Sequence, residues 1–165
     1  MQIIQERPQD VAAIHALTQT AFKDARYSSQ TEARIVDALR DAGALTLSLV
    51  AIEDGEIIGH VAFSPVRING RPGGWYGLGP VSVWPDRQRG GVGSAIIRDG
   101  LDRLRAMGAE GCVLLGDPAY YGRFGFASDP GLRYGDVPAG YFQGLAFAGG
   151  LPTGEVTYHP GFDVP

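Results

Sequence analysis

The 165-residue sequence contains one cysteine, Cys112. No internal disulfide can form, which excludes a small bridge-stapled scaffold and fits a reducing compartment. The three histidines, His15, His60 and His159, share no ligand spacing, and there is no second cysteine to join them. No metal site is therefore expected. Cys112 itself sits in the apolar stretch "GCVLLG" and reads as a small core residue. Long runs of lysine or arginine are missing and the net charge is −4, so nucleic acid is not expected as a partner. No apolar run is long enough to cross a membrane. The opening residues, "MQIIQERPQD", lack the basic start and apolar stretch of a signal peptide. Together these absences predict a soluble, cytoplasmic chain.

What is present is an apolar content of 44%, enough for a real core in one domain of ordinary length. The 25 glycines and 11 prolines are spread along the chain, with no repeat and no low-complexity block. "QIIQE" reads as a short strand. Val11, Ile14, Leu17 and Ala21 then recur at helical spacing. "SSQTEARIVDALRDAG" predicts a second helix, with Ser29 and Glu32 in a capping-box pattern and Gly43 as its stop. "ALTLSLVAI" and "IIGHVAFSPVRI" are strands around an Asp-Gly hairpin turn, and Asn-Gly marks the next turn. "WYGLGPVSVW" is a third strand. A helix from about Gly91 to Ala106 follows, with Val92, Ile96, Ile97, Leu101 and Leu104 on one face. "GCVLLG" is uniformly apolar and reads as a strand buried on both faces, as one reached by a helical crossover would be. The residue 75–116 segment is then a crossover unit, and its two strands should run parallel. Strands are expected beyond residue 127. The fold class is α/β (α+β), with a mixed, mostly antiparallel central sheet flanked by helices.

The stretch "PDRQRGGVGSAI" sets three glycines and two arginines at the start of a helix. Backbone N–H groups there have no helical acceptor, and the helix dipole adds partial positive charge. Glycines clear the space beside them, so the stretch reads as an anion site. A dinucleotide fingerprint would need glycine at Ile96, and a P-loop would need a lysine that is missing.

Gln88, Arg89, Gly90, Gly91, Val92 and Gly93 fit the Q/R-x-x-G-x-G/A pattern. The strand "GPVSVWP" precedes it, and "YYGRFGF" follows the next strand as a Tyr-x-x-x-Gly-Phe segment. In order and spacing all three resemble the GNAT family of N-acetyltransferases. The resemblance covers about residues 2–126 and is strongest over 78–126. "GDPAYYGRFGF" is similar to one branch of that family, the YhbS-like predicted acetyltransferases.

The resemblance implies one N-acetyltransferase domain over 1–165, with 127–165 adding strands that complete the sheet and the acceptor site. It implies acetyl-CoA as co-substrate, held by Gln88, Arg89, Gly90, Gly91, Val92, Gly93 and Ser94. It also implies a parallel strand pair splayed at the cofactor site, where Val81 and Val83 offer backbone groups to the pantetheine arm. The Val81 N–H is the expected donor to the thioester oxygen, on which charge grows in the transition state. Tyr121 is the expected general acid, with its neighbour Tyr120 as the rival. Many members carry asparagine where this chain has Asp117, a departure that weakens any hydrogen-bond role the resemblance implies there.

The general base stays open among Glu32, His60, His159, Glu155 and a water chain. Arg87 and Arg89 are either phosphate partners or solvated surface charges. The acceptor is a small-molecule or peptide amine, a homodimer is compatible, and a non-catalytic acyl-CoA-binding module is the alternative reading.

Overall fold

The computed structural model describes residues 1–165. The chain divides into two compact units, one of residues 1–64, 79–100 and 160–165, the other of residues 65–78 and 101–159. In the first unit, β1 (Gln2–Gln5) leads through a 3-10 turn at Pro8–Asp10 into α1 (Val11–Phe22). Next come α2 (Glu32–Asp41) and β2 (Leu47–Glu53). Asp54 and Gly55 have φ of +51° and +79°, as a two-residue hairpin turn requires, and return the chain as β3 (Glu56–Ile68). The strands β1, β2 and β3 form antiparallel ladders with Ile4 opposite Val50 and Val50 opposite His60.

The helices bury what their spacing predicts. Ile14 of α1 and Val36 of α2 pack with Val50 of β2, while Ile35 and Leu39 pack with Ala44. Phe162 and Val164, near the C-terminal end, cover the second cluster. β4 (Trp75–Val83) and α3 (Val92–Ala106) each begin in one unit and end in the other. Gly59 of β3 meets the start of α3 closely: a Cβ there would lie 2.9 Å from Val92 Cγ1. A larger residue there would force the Val92 side chain to shift.

The second unit holds β5 (Gly111–Leu115), α4 (Pro118–Tyr121), β6 (Leu132–Arg133), β7 (Phe142–Ala146) and β8 (Gly154–Tyr158). β4 and β5 pair in parallel, as the crossover predicts, and β7 pairs antiparallel with β5. β8 runs antiparallel to the end of β3 and parallel to β6. Val66, Trp75, Val113, Leu132, Phe142 and Val156 form the core of this unit. The sheet path is β1-β2-β3-β4-β5-β7, so the expected mixed, mostly antiparallel sheet is present.

Two local expectations need correction. Ser29 does not cap α2; the N-cap is Thr31, and the Ser29 hydroxyl meets the Thr31 hydroxyl instead. Glu32 accepts from the Ser28 hydroxyl at 2.6 Å. Ser29 and Glu32 have the right spacing, but Gln30 takes φ of +64° and turns the chain before the helix starts. The strand "GCVLLG" is not buried throughout either, because Leu115 at its end is 50% exposed.

Candidate active site

The candidate anion site lies where β4 hands over to α3. The chain leaves Val83 through a 3-10 turn at Pro85–Arg87. The Trp84 backbone N–H donates to the Ile58 carbonyl at 3.1 Å, and its indole N–H donates to the Ile57 carbonyl at 2.9 Å. These bonds tie the turn to β3. The Gln88 side chain donates back to the Val83 carbonyl at 3.1 Å, bracing the loop against the end of its own strand. That carbonyl keeps its second lone pair.

Gly91 has φ of +87°, a conformation that L side chains rarely adopt, so glycine is favoured there. The first intrahelical bond runs from Ala95 N–H to the Gly91 carbonyl. The N–H groups of Val92, Gly93 and Ser94 therefore precede the helical ladder and are left for a ligand. A cavity of about 360 Å³ opens here, lined by Gln88, Gly90, Gly91 and Val92 together with Met1, Glu53, Asp86 and Arg87. Its donors, its glycines and the helix dipole fit a phosphate group. The two arginines divide. Arg87 is held by the Glu53 carboxylate at 2.5 Å, so its charge is already matched. Arg89 is exposed, in a left-handed backbone conformation with φ of +67°.

The β4–β5 ladder pairs Trp75, Tyr76 and Gly77 with Gly111, Cys112 and Val113 and goes no further. Val81 and Val83 thus lie on the part of β4 that is outside that ladder. Pro80, with no N–H to donate, precedes Val81. Both valines are half-buried.

Tyr120 and Tyr121 belong to the second unit, in α4. Asp117 caps that helix by accepting the Ala119 N–H on its carboxylate at 2.9 Å. Tyr121 packs edge-on against Phe126 and, tilted, against Phe124. Burial raises its phenol pKa to about 12, with the adjacent Tyr120 adding to the shift. The hydroxyl of Tyr121 therefore keeps its proton across the neutral range. Tyr120 presents its ring to the Arg123 guanidinium, 4.3 Å from the ring centre. Gly125 ends the segment with φ of +98°, which is why the motif has glycine before Phe126.

The base candidates separate by environment. His60 is fully buried; its Nε2 meets the Ser48 hydroxyl at 2.7 Å, and Ser48 in turn donates to Glu6. The Arg40 guanidinium bonds both Glu6 oxygens, at 2.7 and 3.0 Å. Burial holds the His60 pKa down at about 4, a pull that the Glu6 charge only partly opposes. His60 is a neutral core residue and a weak base. Glu155 is engaged by the Gly135 N–H at 2.8 Å and sits 3.5 Å from Arg133. Glu32 lines a second cavity, of about 150 Å³, between α1 and α2 with His15, Thr18, Gln19, Phe22 and Gln30. Sequence reasoning missed that cavity. Its one signal was Thr18, a polar residue on the buried face of α1, whose hydroxyl has no partner.

A stability prediction follows from His60. Its folded pKa lies below the unfolded value of 6.5, so its contribution is full above pH 6.5 and fades as pH falls toward 4. The difference corresponds to about 3 kcal/mol. The Glu6 carboxyl has its own window. Burial pushes it up, but the bonds from Arg40 and Ser48 outweigh burial, and the net shift is downward. Its contribution is therefore lost only below about pH 4.5. Melting curves between pH 7 and pH 4.5 should show a steeper loss for wild type than for His60→Met. Parallel curves would show that His60 is not held neutral.

The chain belongs to the GNAT family: the model of the acetyltransferase (GNAT) domain matches residues 2–128. Among its relatives is the uncharacterized N-acetyltransferase YhbS of Escherichia coli strain K12, 44% identical over 123 residues, 73% of this chain and 70% of that one. A crystal structure of the Escherichia coli YhbS protein in complex with CoA superposes with a TM-score of 0.87 at 37% identity. It covers 99% of this chain and 92% of the other. A GNAT family acetyltransferase from Brucella melitensis, in complex with acetyl-CoA, gives a TM-score of 0.89 at 56% identity, over 98% of this chain and 97% of the other. No helix of the chain is long and apolar enough to cross a membrane.

Proposed function

We propose that residues 1–165 act as one N-acetyltransferase domain that moves an acetyl group from acetyl-CoA to a primary amine by direct attack in a ternary complex. The observation that carries this reading is the cradle at the start of α3, with its open N–H groups and a glycine, Gly91, in a backbone conformation that favours glycine. It is supported by the acetyl-CoA complex of the Brucella melitensis relative. Gln88 and the stretch Arg89–Ser94 hold the pyrophosphate. Val83 binds the pantetheine arm through its backbone. The Val81 N–H donates to the thioester oxygen.

The amine nitrogen attacks the thioester carbon, the C–S bond breaks, and Tyr121 donates its proton to the departing sulfur, regaining one from solvent before the next turnover. The ammonium proton passes to solvent through water; His60, buried and neutral, is too weak a base to take it. The acceptor is a small-molecule or peptide amine, and a reducing, cytoplasmic setting suits the buried thiol of Cys112.

Acetyl-CoA at 100 times its Kd should stabilise the fold by about 3 kcal/mol, because it binds only the folded chain. Thermal unfolding with acetyl-CoA and with NADH checks this. A larger rise with NADH would assign the wrong nucleotide class. Thiol release across a panel of amines, with intersecting double-reciprocal lines, supports the ternary complex. Binding without thiol release from any amine would instead make the chain an acyl-CoA-binding module.

A further inference from the structure

Gln143 stands in β7, opposite Leu114 of β5, and is 1% exposed. Its Nε2 donates to the Gly116 carbonyl at 2.9 Å, while its Oε1 is buried with no partner in the protein. An unpaired buried carbonyl is a cost that leucine or methionine would avoid in the same space. What glutamine supplies, and they cannot, is the bond to Gly116.

Gly116 joins β5 to the helix that carries Tyr121. Its N–H donates to the Tyr141 carbonyl at 2.9 Å, so both of its backbone polar groups are held from β7 and the residue before it. The Tyr121 ring lies directly on it: a Cβ at Gly116 would be 2.5 Å from Tyr121 Cε2 and 2.9 Å from Cδ2. The next residue, Asp117, accepts the Tyr121 N–H at 3.0 Å. A short run of hydrogen bonds and one ring contact thus leads from Gln143 to Tyr121.

We propose that Gln143 is a positioning residue for Tyr121. By holding the Gly116 carbonyl, its amide fixes the backbone surface on which the Tyr121 ring rests. The proposal builds on Tyr121 as the donor to the departing sulfur. A donor to a breaking bond is sensitive to placement, and a shift of about 1 Å can cost on the order of 10²-fold in rate.

The test is a double-mutant cycle. Gln143→Met keeps the side-chain length and removes the amide. It should lower kcat about tenfold and leave KM for acetyl-CoA within about twofold. In a Tyr121→Phe background the same substitution should change kcat by less than about twofold, since the group it positions is gone. An equal fractional loss in both backgrounds, or unchanged kcat in a folded Gln143→Met protein, overturns the proposal. If Tyr121→Phe alone turns over normally, it is the assignment of Tyr121 that fails, and the positioning role falls with it. Should Gln143→Met not fold, Gln143→Glu answers the same question. Its protonated carboxyl can donate to Gly116 and its ionised form cannot. Activity relative to wild type should fall as pH rises, and a ratio flat with pH overturns the proposal.

Discussion

Tyr121→Phe is expected to lower kcat by about 10²-fold or more while the affinity for acetyl-CoA stays near wild type. The substitution removes one hydroxyl and leaves the ring, so the packing on Phe124, Phe126 and Gly116 is kept. The hydroxyl matters only when charge develops on sulfur, which places the loss in kcat rather than KM. A phenol pushed to about 12 is not a strong acid, but it is always protonated at working pH. As general acid it offers that proton to the departing sulfur from a half-buried position. Tyr120→Phe is the control and should be mild, because that ring is packed by Arg123 and is not held against Gly116. Steady-state kinetics on both variants decides. Damage from Tyr120→Phe with a silent Tyr121→Phe would exchange the two roles, and two silent variants would make the segment a packing element only.

Gly93→Val should raise the Kd for acetyl-CoA by about 10²-fold, the equivalent of losing one or two charge-assisted bonds to phosphate. Gly93 lies inside the first turn of α3, where valine is better tolerated by the helix than glycine. The fold should survive, which circular dichroism checks, and the lost affinity then reports crowding of the cradle alone. Gly91→Val is the poorer test, since φ of +87° adds backbone strain to any effect on binding. Calorimetric titration of folded Gly93→Val with acetyl-CoA measures the effect. Unchanged affinity would remove the phosphate role from this loop.

The sequence by itself determined the order of elements from β1 to β5, the turns at Asp54–Gly55 and Asn69–Gly70, and the glycine-rich start of α3. These rest on local physics. Turn geometry admits few residues besides glycine, apolar spacing selects helix or strand, and a helix start exposes its own N–H groups. The GNAT resemblance could be read early for the same reason, because its motifs are short and contiguous.

Tertiary structure alone decided which polar groups meet. Arg87 is neutralised by Glu53, 34 positions away, and His60 is silenced by burial beside Ser48. Glu32 turned to Ser28 because Gln30 reverses the chain there, a choice that spacing could not show. Tyr120 and Tyr121 are equivalent as letters; only the bare backbone of Gly116 gives Tyr121 its seat. The bond from Gln143 to Gly116 spans 27 positions and joins a strand in the tail to the motif segment. No local preference encodes such a pairing. It exists because β7 lies beside β5, and that neighbourhood is a property of the packed sheet rather than of any stretch of sequence within it.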